Sequence, residues 1–144
     1  MFDIQAALLL PQCAHIEERW QRREAISRRY EEAFAKSPGV SFPRVIEGTK
    51  SARHLFTIWV DPSRRDAVLA GLQAEGIGVA VNYRSVHLLT YYRERFGYRR
   101  GMYPYAERIG DSTVTLPLYP GLTDSQVDAV IAAVRKVTGC SSPR

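Results

Sequence analysis

Apolar side chains recur at Leu9, Cys13, Ile16 and Trp20, and again at Tyr30 and Phe34, in alternating steps of three and four, with Arg23 and Ser27 filling the gap on the same stripe. This spacing predicts one long helix over residues 3–36 with one face turned towards a partner surface. The other faces carry Glu17, Glu18, Arg19, Arg22, Glu24, Arg28, Arg29, Glu31 and Glu32, the mixed charge of a solvated surface. Pro11 lies inside the pattern and predicts a kink or break near residue 10. Asp3 is the one capping residue at the start. A chain that enters a long, partly apolar helix almost at once leads to the expectation that another domain stands before it. Residues 1–36 are therefore assigned as a helix linking to a missing large domain, and 37–144 as a small C-terminal α+β domain. Without that large domain the apolar stripe would drive self-association.

The rest of the chain alternates short strand and helix signals. Residues 37–53 hold two prolines and two glycines and read as a connecting loop with room for a short strand. Leu55–Val60, Ile77–Val81 and Thr113–Leu118 read as strands, the last demoted at its end by Pro117. Ser63 with Asp66 three residues on predicts a capped helix with Val68, Leu69 and Leu72 on its apolar face, ended by Gly76. Thr123 and Gln126 form a capping box for a last helix that buries Val127, Val130, Ile131, Val134 and Val137 and closes at Gly139. The fold class expected is α+β: a small, mostly antiparallel sheet of about three strands covered by helices, preceded by the long N-terminal helix.

Composition removes several classes. The longest apolar run, Ala6–Leu10, is far short of the ~18 residues of a membrane span and follows Asp3 rather than a basic start, so neither a span nor a secretory signal is expected. Cys13 and Cys140 form no metal or redox spacing, and two reduced, partly buried thiols in a cytoplasmic protein is the plain reading. A net charge of +5 permits a phosphate-bearing partner, nucleic acid or nucleotide.

The densest group of chemistry-bearing residues is 82–100. Asn82, Tyr83, Arg84 and His87 follow directly on an expected strand, where a rigid element positions a loop. Their neutral donors and acceptors suit sugar hydroxyls and the Arg84 fork suits phosphate; the same residues also fit a half-buried structural role under a loop. A second reading takes Tyr91, Tyr92, Arg93, Arg95, Phe96, Tyr98, Arg99, Arg100, Tyr103 and Tyr105 as a nucleic-acid surface. Glu94 and Glu107 interrupt it, and no RNA- or DNA-binding motif accompanies it. His54 reads as structural and His15 as exposed. No nucleophile elbow, glycine-rich phosphate loop or metal-ligand cluster is present. The three lysines, Lys36, Lys50 and Lys136, stand in loops or at helix ends, where nothing desolvates an amine.

Four ordered stretches carry a resemblance: residues 1–12 (MFDIQAALLLPQ), 52–61 (ARHLFTIWVD), 76–87 (GIGVAVNYRSVH) with 91–96 (YYRERF), and 116–123 (LPLYPGLT). Together they are similar to the C-terminal part of DegT/DnrJ-type sugar-nucleotide aminotransferases, pyridoxal-phosphate enzymes of fold type I. The third stretch looks closest to enzymes that form UDP-4-amino-4-deoxyarabinose for lipid A modification of lipopolysaccharide. The resemblance implies transfer of an amino group from glutamate, by way of the cofactor, to a keto-sugar on a nucleoside diphosphate. It also implies a homodimer whose contacts come largely from the large domain. In such enzymes a lysine and a carboxylate of the large domain hold the cofactor. Neither motif stands in this chain, so pyridoxal phosphate is expected to belong to the full-length enzyme and not to bind this chain alone, which carries no catalytic residue and is inactive by itself. The resemblance assigns the chain one wall of the sugar site. There Tyr83 and His87 match best, Arg84 lies behind them, and Asn82 stands where many members have His.

Overall fold

The structure, a computed structural model, describes residues 2–139, and Cys140 lies outside them. The long helical segment is two helices, α1 (Asp3–Ala14) and α2 (Ile16–Phe34). The break is at His15, with φ −107° and ψ 12°, and not near residue 10 as expected from Pro11. Pro11 forfeits the hydrogen bond to the carbonyl of Ala7, but Ala7 is exposed, so solvent can satisfy that carbonyl and the helix continues past it. No described residue of α1 is buried, and Leu9, Cys13 and Ile16 of the expected stripe are exposed. Only its later part, Ser27, Tyr30 and Phe34, turns inward, joined by Ile26, which the stripe passed over. Trp20 lies between: its indole N–H donates to the Ser51 carbonyl at 2.7 Å, and the Lys50 ammonium sits 3.8 Å over its ring.

The sheet has two strands where about three were expected. β1 (Phe56–Trp59) pairs antiparallel with β2 (Thr113–Leu116) in the register Phe56↔Leu116, Thr57↔Thr115, Ile58↔Val114 and Trp59↔Thr113. The third expected strand, Ile77–Val81, contributes one bridge, Ala80 to Thr115, with N–H···O distances of 2.8 and 3.3 Å. Gly76, at φ +77°, and Gly78 bring no side chains to pack on that edge. Two residues later the Asn82 N–H goes to the Thr115 hydroxyl at 3.3 Å instead of a backbone carbonyl, and the ladder ends. On the far edge Ser41 makes a single bridge to Trp59, which is all the short strand allowed for in 37–53 amounts to.

Helix α3 (Arg65–Ala74) does not use the Ser63–Asp66 box. The Ser63 N–H and hydroxyl both donate to Asp61 Oδ1, at 2.8 and 2.6 Å, so an Asx turn two residues earlier takes the N–H that the Asp66 carboxylate would accept in the box. Helix α6 (Asp124–Thr138) is capped as read: the Thr123 N–H donates to Gln126 Oε1 at 2.9 Å, and Gly139 closes it at φ +78°. Ile26, Tyr30 and Phe34 of α2, Phe56, Ile58, Val114 and Leu116 of the sheet, Val68 and Leu72 of α3, and Val127, Val130 and Val134 of α6 form one buried cluster. The α+β class holds, with α2 as part of the core. Arg53, itself buried, fastens the loop before β1 to α2 through Glu24 and Glu31. No helix among the described residues is long and apolar enough to cross a membrane.

Candidate functional site

Between Ala80 and β2 the chain forms a 3₁₀ turn (Val86–Leu88), α4 (Thr90–Phe96) and α5 (Pro104–Ser112). Segment 82–87 lies against α5. Ser85 is buried and its hydroxyl donates to the Ala106 carbonyl at 2.8 Å. Gly110 makes this closeness possible, because a Cβ there would stand 2.7 Å from both the Ser85 nitrogen and its Oγ.

His87 is 7% exposed, and its Nε2 lies 2.9 Å from Glu107 Oε1. An ionised carboxylate only accepts, so Nε2 is the donor and the imidazole is fixed in place. Glu107 is buried too, and it also accepts from the Gly101 N–H (2.8 and 3.0 Å) and the Tyr103 N–H (3.3 Å). These bonds, the Gly101 N–H foremost, hold its carboxyl below the ordinary value of 4.5. One carboxylate thus ties His87 to the loop 97–103. The Tyr103 ring packs edge-on to His87 at 4.8 Å, and Tyr98 packs on Tyr103 at 5.8 Å.

Three of the four residues expected at the site meet in one cavity of about 530 Å³: Tyr83, Arg84 and His87, with Tyr92, Tyr98 and Tyr103. Tyr83 is 67% exposed, whereas His87 is buried and hydrogen-bonded to Glu107. Asn82 does not line this cavity, and its backbone is spent on Thr115. The sequence reading missed Glu107 as a site residue. The available signal was an acidic residue in the first turn of a helix that opens with Pro104. His15 is exposed beside Glu18, His54 is exposed, and no group of three or more metal-ligating side chains occurs among the described residues.

A direct consequence concerns pH. Because the folded value of Glu107 is lowered, the order it confers is complete above 4.5 and is lost as pH falls through its folded value. Hydrogen-exchange protection of the Gly101 and Tyr103 amides is expected to fall in that acid range. In Glu107→Gln protection is lower throughout and shows no such step. A step that persists in Glu107→Gln would show that another group fastens the loop.

Residues 1–135 match the profile described as the DegT/DnrJ/EryC1/StrS aminotransferase family. The chain belongs to this family. It is 39% identical over 142 residues to the spore coat polysaccharide biosynthesis protein SpsC of Bacillus subtilis, a match that takes in 95% of this chain and 36% of SpsC. Its fold is similar to that of DesV from S. venezuelae, with a TM-score of 0.86, 34% identity, and coverage of 92% of this chain and 35% of that one. Spr1654 of Streptococcus pneumoniae in its PLP form gives a TM-score of 0.89 at 32% identity, covering 96% of this chain and 36% of that one. The chain spans about a third of the length of these relatives.

Enzymes of the DegT/DnrJ/EryC1/StrS family depend on pyridoxal phosphate. Covalent attachment of that cofactor requires a desolvated amine within a cleft. Lys36 is exposed, Lys50 is bound to Glu17 at 3.1 Å, and Lys136 to Glu75 at 2.8 Å, both on the surface. The lysines present do not fit the group.

Proposed function

We propose that this chain forms one wall of the substrate site of a pyridoxal-phosphate-dependent aminotransferase acting on a keto-sugar linked to a nucleoside diphosphate. Glutamate supplies the amino group, and a large domain outside this chain supplies the lysine and carboxylate that hold the cofactor. Residues 1–36 link the two parts, 37–144 form the small domain, to whose core α2 adds Ile26, Tyr30 and Phe34, and the working enzyme is a cytoplasmic homodimer. The observation that carries the reading is the cavity of Tyr83, Arg84 and His87, with His87 locked by Glu107, in a chain of this family whose own lysines are poorly placed. A fixed imidazole and an open phenol suit sugar hydroxyls, and the guanidinium suits phosphate. Asn82 contributes at the margin.

The spore coat polysaccharide role in the name of SpsC supports an amino sugar destined for a surface polysaccharide. The narrower assignment to lipid A rests on residues 76–87 with 91–96. The nucleic-acid reading has less support, since the rings of Tyr91, Tyr92, Phe96, Tyr98 and Tyr103 pack on one another and leave fewer faces for bases.

The test is turnover. The purified chain, given pyridoxal phosphate, glutamate and a keto-sugar nucleotide, is expected to form no amino sugar. Joined to the part of SpsC that precedes its matched region, it is expected to do so. In that joined enzyme His87→Ala and Tyr83→Phe should each lower kcat/KM by roughly 10–100-fold, the worth of one hydrogen bond to a charged or strongly polar group. Turnover by the chain alone, or variants with unchanged kcat/KM, would overturn the reading.

A further inference from the structure

His87 borders the cavity of Tyr83 and Arg84, and behind it stands Glu107; the two are 7% and 6% exposed. Their contact decides which imidazole nitrogen is spoken for. Nε2 lies 2.9 Å from Glu107 Oε1, and an ionised carboxylate accepts without donating, so Nε2 keeps its proton whether the ring is neutral or charged. In the neutral ring Nδ1 then carries the lone pair. A proton that the ring gains or gives up moves at Nδ1.

Nδ1 is the open end of the pair. It makes no hydrogen bond among the described residues, yet it is not one of the sealed side-chain atoms left without a partner, which are Ser27 Oγ and Arg65 Nε and Nη1. An unpartnered polar atom of a buried residue that is not sealed faces open space, and the space beside His87 is the aromatic cavity. The Tyr103 ring, edge-on to the imidazole at 4.8 Å, limits its rotation.

Glu107 is itself held from the other side. Both of its oxygens accept from the Gly101 N–H, Oε1 accepts from the Tyr103 N–H as well, and the Arg100 guanidinium lies 3.8 Å from Oε2. With the carboxylate anchored, the ring cannot turn without giving up a charge-assisted hydrogen bond. The other charged groups about the pair are Arg84 and Arg100, and the phenols are those of Tyr83, Tyr92, Tyr98 and Tyr103. No carboxylate among the described residues lines the cavity to compete for Nδ1. Groups fixed before the ligand arrives reduce the entropy lost on binding.

We propose that Glu107 is a positioning residue: by keeping the proton on Nε2 it leaves Nδ1 of His87 as the nitrogen that meets the substrate. A neutral imidazole presented in this way accepts and does not donate, so the group it selects is an O–H or N–H, which in a sugar is a hydroxyl. A carbonyl or ether oxygen at that point would set lone pair against lone pair. The sugar part of the inference rests on the aminotransferase reading. The choice of nitrogen stands without it.

Nitrogen-15 NMR of the full chain tests the choice of nitrogen. In its neutral form His87 is expected as a single tautomer, protonated at Nε2, with that proton exchanging slowly. Glu107→Gln keeps the shape but has one oxygen to share between His87 and the side of Gly101 and Arg100, so a mixture of tautomers is expected. The exposed His54 should not change and serves as the reference. A proton on Nδ1 in the parent chain, or an unaltered single tautomer in Glu107→Gln, overturns the proposal. The contact itself is read in the joined enzyme. An asparagine at 87 places its amide where Nδ1 stands, one bond from Cγ, whereas a glutamine reaches the place of Nε2. His87→Asn is expected to retain roughly tenfold more kcat/KM than His87→Gln, the worth of one hydrogen bond to a strongly polar group. The opposite order would put Nε2 at the substrate, and equal losses would remove the contact; either overturns the proposal. A joined enzyme without turnover sinks the aminotransferase reading instead, and the tautomer measurement still decides this one.

Discussion

Replacing Tyr30 by alanine is expected to destabilise the protein by about 3–5 kcal/mol, the range for an aromatic side chain removed from a packed core. Tyr30 is fully buried, with ring centroids 5.0 Å from Phe56 and 6.0 Å from Phe34. It joins α2 to the sheet, so the void left behind has no mobile neighbour to collapse into it. Its hydroxyl donates to the Pro117 carbonyl at 3.1 Å, just beyond the end of β2. Tyr30→Phe keeps the ring and loses only this bond, so a loss of about 1 kcal/mol is expected. Burial raises the phenol well above its ordinary value of 10.0, which adds a pH signature. The stability this group contributes is complete below pH 10.0 and is lost as pH rises above it, because the unfolded chain ionises first. Tyr30→Phe should remove that alkaline loss. Urea unfolding measures all three, through a shift in midpoint at constant slope. A Tyr30→Ala loss no larger than that of Tyr30→Phe would mean that α2 is not packed as described.

Gly110→Ala is expected to cost up to about 2 kcal/mol net and to disturb the cavity of Tyr83, Arg84 and His87. A methyl group in a helix normally gains about 1 kcal/mol over glycine. Here it would meet Ser85 N and Oγ at 2.7 Å and the Arg84 carbonyl carbon at 3.2 Å, mostly backbone atoms that cannot rotate away. Over-packing of this kind costs about 1–3 kcal/mol, occasionally more, and here it must outweigh the helix gain. Relief requires segment 84–85 to move off α5, and that segment lines the cavity of Tyr83 and His87. The His87–Glu107 hydrogen bond, with one partner on each side of the contact, should weaken with it. Gly71→Ala is the natural comparison. Its Cβ would also come within 2.7 Å of an atom, but that atom is Cγ1 of the Val137 side chain near the end of α6, which can give way. Melting midpoints of the two variants, together with the ring-proton shifts of His87, separate the cases. A Gly110→Ala protein as stable as the parent, with unshifted His87 resonances, would contradict the close packing described.

Much of the secondary structure was written locally. Thr123, Gln126 and Gly139 mark α6 because a capping box and a left-handed glycine act within one turn of the chain. Two local readings failed for reasons that lie outside the local pattern. Ile77–Val81 has the composition of a strand, but whether it extends the sheet depends on what stands opposite, and there the Thr115 hydroxyl takes the next N–H. Ser63 and Asp66 have the spacing of a cap, but Asp61 accepts the Ser63 N–H that Asp66 would need.

By itself, then, the order of residues determined the α+β class, the last helix, the family likeness and the short segment, 82–87, most of which lines the aromatic cavity. These follow from periodicities and motifs that need only near neighbours. Only the tertiary structure decided that Ile26 and Tyr30 are core while Leu9 and Ile16 are not, and that Glu107 holds His87 and the loop 97–103. The same holds for Arg84, Arg93, Arg99 and Arg100, which come from the 82–87 segment, α4 and the following loop to line one cavity. Burial, ion pairing and cavity walls are properties of surfaces brought together across many residues. A pattern read along the chain carries the side chains but not the partners that fix what they do.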